Sequence, residues 1–397
     1  MDVGLEQVRG YRLRAHHLDR KLPPGGEAAA AGACGVQNSP PGAWETALFN
    51  RVEGCTQEGL QSILYKEKEL LQAWSCRGVP MVFPTGESGV FLDALRARPG
   101  EEPWIYTRGI GLALDHLGMT FDELLPLVEK AAGYLDNHTV KSKEALDQTL
   151  AALVGEDLPP EKRALWEDPS MYGAPDRQTV GGAAVSFLLR PCAFSAKVVF
   201  GAREGNSPAF TSFQNWVGRA PAPRPEAERE LARKFLRCYG PSGPAAFQDW
   251  LGASPRQAKR LWESVSAETV PVGVAGRTRY LLAEELEALA AAGDGGDRFL
   301  LLGPHDPYLD LRDREVVLAD PALQKRVWRT VANPGAVLKG GRVIGIWKGK
   351  TLGDRLDAAL TVWEPLSRAE EGRLEELAGE YGAFRRLTLR RCLLEKL

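Results

Sequence analysis

Residues 226–282 read EAERELARKFLRCYGPSGPAAFQDWLGASPRQAKRLWESVSAETVPVGVAGRTRYLL. In 226–239, Leu231, Phe235, Leu236 and Tyr239 fall on one side at helical spacing before Gly240-Pro241 stops the helix. Ser242 caps a short segment through Trp250, and Gly252 breaks it. Ser254-Pro255 then opens a third helix, with serine at the N-cap and proline in the first turn. Its inward stripe is Ala258, Leu261, Trp262 and Val265, which turns Arg256, Lys259 and Arg260 outward as candidate phosphate contacts. Residues 270–274 and 277–282 alternate apolar positions around Ala275-Gly276, a two-residue hairpin turn. Three helices followed by a hairpin are the order of a winged helix, a unit that contacts nucleic acid or protein.

The proline-rich stretch 220–225, APAPRP, marks a boundary just upstream. Before it the same grammar recurs, with helices at 142–153 and 179–196 and a hairpin at 197–213 around Glu204-Gly205-Asn206. Nearer the start, 12–21, 27–36, 43–52 and 57–67 read as helices and 70–84 as β-prone sequence interrupted by Gly78. After the Ala/Gly-rich run 288–296, short β-rich runs at 299–302, 337–338, 342–348 and 356–363 surround the turn Lys339-Gly340-Gly341. A closing helix starts at Ser367 and ends near Arg385 and Arg386. The expected fold is helix-rich α+β: winged-helix units at 1–105, 106–220 and 221–292, then a small β-barrel-like domain with a C-terminal helix at 293–397.

At 397 residues the chain is long enough for several cores, and 44% hydrophobic with 26% charged residues is the composition of a globular protein. No apolar run is long enough for a membrane span and residues 1–10 lack a signal-peptide core, so a cytoplasmic protein is expected. The six cysteines contain no CxxC pair, so they read as free thiols with no metal site. A net charge of -2 lacks the basic excess of nucleic-acid binders, so DNA contact requires positive charge gathered on one face.

Several segments resemble the tandem winged-helix family of crosslink-repair DNA glycosylases, the AlkZ- and YcaQ-like proteins. They are Asp306-Pro307-Tyr308, Lys325-Arg326-Val327-Trp328, Asn333-Pro334-Gly335-Ala336-Val337 and Gly341-Arg342-Val343, with Leu13-Arg14-Ala15, Gly35-Val36-Gln37 and Trp74-Ser75-Cys76-Arg77-Gly78 near the start. The resemblance implies a catalytic loop of glutamine, an apolar residue, then glutamine or aspartate. This chain has Gln37-Asn38-Ser39 there, so Gln37 matches and Ser39 replaces the second amide or carboxylate. The implied activity is monofunctional removal of N7-alkylpurine or crosslinked lesions from double-stranded DNA, by water attack at C1′, without metal or cofactor and with no obligate protein partner. The alternative is a non-catalytic winged-helix DNA-binding or regulatory protein, for which Ser39 is the evidence. Glu45, at the start of the next helix, is either a substitute carboxylate or a helix-start acid that favours the dipole.

Further candidate DNA contacts are Arg12, His16 and Arg20, spaced by four as along one helix face, with Arg14 beside them. Arg77, next to Gly78, is a candidate for a phosphate or the lesion strand. Trp347 and Lys348 lie in a segment resembling the hairpin with which related glycosylases reach DNA.

Overall fold

The computed structural model describes residues 1–101, 105–173, 176–205 and 207–397. It is a helix-rich α+β chain. Its backbone contacts divide it into two compact units, one of residues 1–63, 232–250 and 265–397, the other of residues 64–231 and 251–264. Among the described residues no helix is long and apolar enough to cross a membrane.

The second unit is built around the helix Val180–Phe194, buried almost all round through Val180, Ala184, Leu188 and Leu189. Thr179 caps it by accepting from the Gly182 N–H, and Ser142 caps the helix Lys143–Asp157 in the same way. The two helices share a core with Trp74, Leu117, Leu124, Val128, Leu135 and Phe210. Strands Val199–Glu204 and Ser207–Thr211 form the hairpin expected at 197–213, and Val140–Lys141 pairs along the latter. Asn206, placed at its turn from the sequence, lies outside the described residues. Helices Gly111–Leu117, Phe121–Ala132 and Pro160–Glu167 add to this unit where the sequence reading had none.

In the first unit the opening helix is Leu5–Ala15, not 12–21. His16 ends it and His17 takes a left-handed φ of 54°, so the expected face of Arg12, His16 and Arg20 does not exist. From Ala232 onward the helix Ala227–Tyr239 packs with Pro244–Leu251, where Phe235 meets Tyr239, Phe247 and Trp250. The hairpin Thr269–Val274 and Arg277–Leu282 turns at Ala275 and Gly276, φ 47° and 74°, and gains a third, parallel strand from Asp2–Val3. Helix Pro255–Glu263, capped by Ser254, belongs to the other unit.

The C-terminal sheet runs in the order Phe299–Leu302, Gly335–Lys339, Arg342–Leu352, Arg355–Val362, Thr388–Lys396. The last pair is parallel because helix Arg368–Phe384 crosses over between the two strands. Among the described residues the two end strands do not pair with each other, so the sheet is open and not a closed barrel. The helix covers one face, burying Leu374 and Ala378 against Phe299, Val337, Trp347 and Leu360.

Two buried arginines pin the first unit together. Arg51, just after helix Ala43–Phe49, donates from Nη1 and Nη2 to Asp306 at 2.8 and 2.7 Å, and from Nη1 to Ala47 O. Asp306 Oδ1 also accepts from the Tyr308 N–H, and Tyr308 Oη donates to Gly341 O. Arg12 donates to the carbonyls of Tyr239, Gly240 and Pro241 and takes both oxygens of Asp313. Removing one partner of such a buried pair strands a charge. Arg51→Met is therefore expected to lower stability in urea unfolding by about 3–5 kcal/mol, with Arg51→Met/Asp306→Asn recovering part of the loss. Strictly additive losses would show that the pair is not coupled.

Candidate active site

The segment carrying Gln37 is held at both ends by glycine. Gly35 (φ 75°) precedes the short strand Val36–Gln37, and Gly42 (φ 90°) precedes helix Ala43–Phe49. Asn38 Oδ1 accepts from the Gly42 N–H at 2.7 Å, closing the loop over the cis Ser39–Pro40 peptide. Gln37 is 9% exposed, and its Nε2 donates to Ser39 O at 3.3 Å. A carbonyl only accepts, so this contact fixes which end of the amide is nitrogen. The Gln37 oxygen faces away from it, and among the described residues nothing donates to that oxygen. The half-buried Ser39 hydroxyl makes no hydrogen bond among them either.

Glu45, in the first turn of the following helix, is buried. Its Oε2 accepts from Gln57 Nε2 at 2.8 Å and Arg385 Nη1 at 2.9 Å, and its Oε1 from Gln61 Nε2 at 2.5 Å. The carboxylate is thus occupied by three donors from two other elements. It lies beside Gly42, 3.8 Å from where a Cβ on that residue would stand. These hydrogen bonds tie the start of helix Ala43–Phe49 to helix Gln57–Tyr65 and to the end of helix Arg368–Phe384. Gln57, Gln61 and Arg385 carry no motif that announces them. Only the fold brings them to Glu45.

The candidate DNA contacts divide sharply. Arg12 and His16 are 1% and 2% exposed. The first is filled by carbonyls and Asp313, and the second sits with Nε2 3.1 Å from Cys238 O, so neither is a surface contact. Trp347 is also corrected: it is 4% exposed, donates Nε1–H to Leu302 O and packs edge-on against Tyr381. Arg260 is held by Glu101 and Glu228, and against the upward push of burial its guanidinium keeps the Glu101 carboxyl below the usual range. Arg256 is exposed but donates to Gly100 O, and Lys259 faces Glu263 at 3.7 Å. Arg77 is half-buried in a left-handed conformation against Gly252, where a Cβ would come within 2.8 Å of its Cα.

Arg14, Arg20 and Lys348 are exposed and make no ion pair among the described residues. Lys350, on the same strand as Lys348 and missed in the sequence, is placed likewise. Lys348 and Lys350 stand near the exposed end of the hairpin Arg342–Leu352 and Arg355–Val362.

None of the curated protein sequences compared matches the chain. Among solved structures, the Streptomyces sahachiroi DNA glycosylase AlkZ is similar in fold, with a TM-score of 0.76 and 23% identity over 98% of this chain and 100% of that one. The family model described as DNA glycosylase AlkZ-like matches residues 30–384, a span that takes in the Gln37 loop, the Arg51–Asp306 pair and most of the C-terminal sheet. The chain therefore belongs to the AlkZ-like DNA glycosylase family.

Proposed function

We propose that this chain is a monofunctional DNA glycosylase that hydrolyses the N-glycosidic bond of N7-alkylated or crosslinked purines in double-stranded DNA. One observation carries the reading. The Gln37 amide is oriented by donating to Ser39 O, and its oxygen is left to accept from a water. Family membership supports DNA as the substrate.

Alkylation at N7 makes the purine cationic, so the base leaves as a neutral molecule and takes the electron pair of the C1′–N9 bond with it. No acid is required to protonate it. What remains is to hold the nucleotide and to aim a water at C1′ as positive character develops on the sugar. The water oxygen bonds to C1′ and its proton passes to solvent, because a neutral amide positions water without acting as a base. The Ser39 hydroxyl supplies the second polar contact, shorter than the amide or carboxylate of the family pattern. Glu45 acts by keeping the loop in place.

The scaffold that brings DNA to this loop we read as winged-helix units at 1–105, 106–220 and 221–292. Helices Ala227–Tyr239 and Pro244–Leu251 and the hairpin Thr269–Val274 and Arg277–Leu282 support the last of these, although helix Pro255–Glu263 falls in the other compact unit. The region 293–397 we read as a barrel-like domain left open at one seam, with helix Arg368–Phe384 against both end strands. Arg14, Arg20, Lys348 and Lys350 are the proposed phosphate contacts.

In single-turnover assays on duplexes carrying N7-methylguanine or a nitrogen-mustard crosslink, Gln37→Ala is expected to lower base release by about 10²-fold. If wild type and Gln37→Ala both match spontaneous depurination on every such lesion, the enzymatic reading fails. Retained duplex binding would then mark a DNA-binding protein. Glu45→Gln is expected to cost about 1–2 kcal/mol of stability while retaining base release well below its unfolding midpoint. Loss as complete as that of Gln37→Ala, in folded protein, would instead put Glu45 in the chemistry. Lys348→Ala/Lys350→Ala is expected to weaken duplex binding and flatten the slope of log affinity against log salt by up to about 2. An unchanged slope would remove both lysines from the DNA interface.

A further inference from the structure

His16, Cys34 and Cys238 are remote in sequence, yet each offers one metal-ligating atom within 4.8 Å of the other two. All three are at least 97% buried. We propose that they form a structural site for a borderline-soft divalent cation of the zinc class, with the Tyr239 phenol oxygen as the fourth donor.

The surrounding hydrogen bonds leave lone pairs of the kind such a site needs. His16 Nε2 lies 3.1 Å from Cys238 O. A carbonyl only accepts, so the neutral ring carries its proton on Nε2 and its lone pair on Nδ1. A ligating histidine is held in the same way, with its second nitrogen anchored on a backbone carbonyl. The ring is further fixed edge-on between Tyr239 and Tyr308, at 5.2 and 5.5 Å. The one proton of Tyr239 Oη goes to Pro307 O at 2.8 Å, so toward Cys34 Sγ, 3.7 Å away, that oxygen offers only a lone pair. Two sulfurs, one nitrogen and one oxygen suit tetrahedral coordination. Closing the two sulfurs and the nitrogen from 4.8 Å to the separations of a zinc site, about 3.5–3.8 Å, takes shifts below about 1 Å.

Charge points the same way. Two thiolates, a neutral imidazole and a divalent ion sum to zero, which is what a fully buried site requires. Thiols that bind as thiolates release their protons to solvent. The ion would join three segments: the residue that ends helix Leu5–Ala15, the residue three before Gln37, and helix Ala227–Tyr239. That would stiffen the root of the Gln37 loop.

The test uses the full-length chain, reduced and stripped of metal by a chelator, and titrated with Co²⁺. Wild type is expected to develop a thiolate-to-cobalt charge-transfer absorption that saturates at one equivalent and is bleached by Zn²⁺. Cys34→Ala and Cys238→Ala should each abolish or sharply reduce it, and Cys192→Ala should keep it. A wild type without this absorption, or Cys34→Ala with undiminished absorption, overturns the proposal. Wild-type thermal unfolding gives a measurement that no variant's misfolding can spoil. Zn²⁺ should raise the midpoint by several degrees over the stripped protein, and an unchanged midpoint at saturating Zn²⁺ also overturns the site.

Discussion

The first unit is organised around a charge pair that is almost fully buried. Arg51 and Asp306 are both buried, and taking them out of solvent costs several kcal/mol for each ion. The cost is offset by the hydrogen bonds: the fork meets both carboxylate oxygens, a third donation ends on Ala47 O, and the carboxylate also holds the Tyr308 N–H. Ala47 lies in the helix that follows the Gln37 loop. The Asp-Pro-Tyr segment is therefore tied to the end of that helix through Arg51. Asn50 adds to it by bonding Leu301 O in the first strand of the C-terminal sheet. The candidate active loop is thus positioned by residues some 250 places later in the chain.

What could be read from the chain follows from how local each cause is. The helices and hairpin within 227–282 were legible because their signals are local: Ser254 before Pro255, Gly240-Pro241 as a stop, Ala275-Gly276 as a turn. The strands of the C-terminal sheet were legible up to the last one, though the barrel expected of them was not formed. Thr388–Lys396 escaped because it alternates weakly, and most of its side chains stay exposed or half-buried on either face. The strand Asp2–Val3 has two residues and exists only through its partner. Arg12 misled for a different reason. Charge at helical spacing reads as a solvated ridge, and nothing nearby in sequence discloses a cup of carbonyls at 239–241. Gln37 was found through family resemblance. By pattern alone it is a polar residue before a turn.

The net charge of -2 says nothing of how the cations are distributed. Arg12, Arg51 and Arg260 are each neutralised by an internal carboxylate. Arg14, Arg20, Lys348 and Lys350 are among the lysines and arginines that are exposed and make no ion pair among the described residues. In the proposed function, phosphate is met by the local field of such groups and not by the net charge of the molecule.

The open C-terminal sheet also bears on how the molecule behaves in a crowded solution. A final strand with one unpaired edge is a template onto which another chain can add. In Thr388–Lys396 that edge is loaded with charge: Arg390 and Arg391 share Asp357 on the neighbouring strand, and Lys396 reaches Glu371 on the crossover helix. An incoming strand would have to bring its own side chains beside these charged groups. The seam that keeps the sheet from closing is thereby kept from becoming a site of polymerisation.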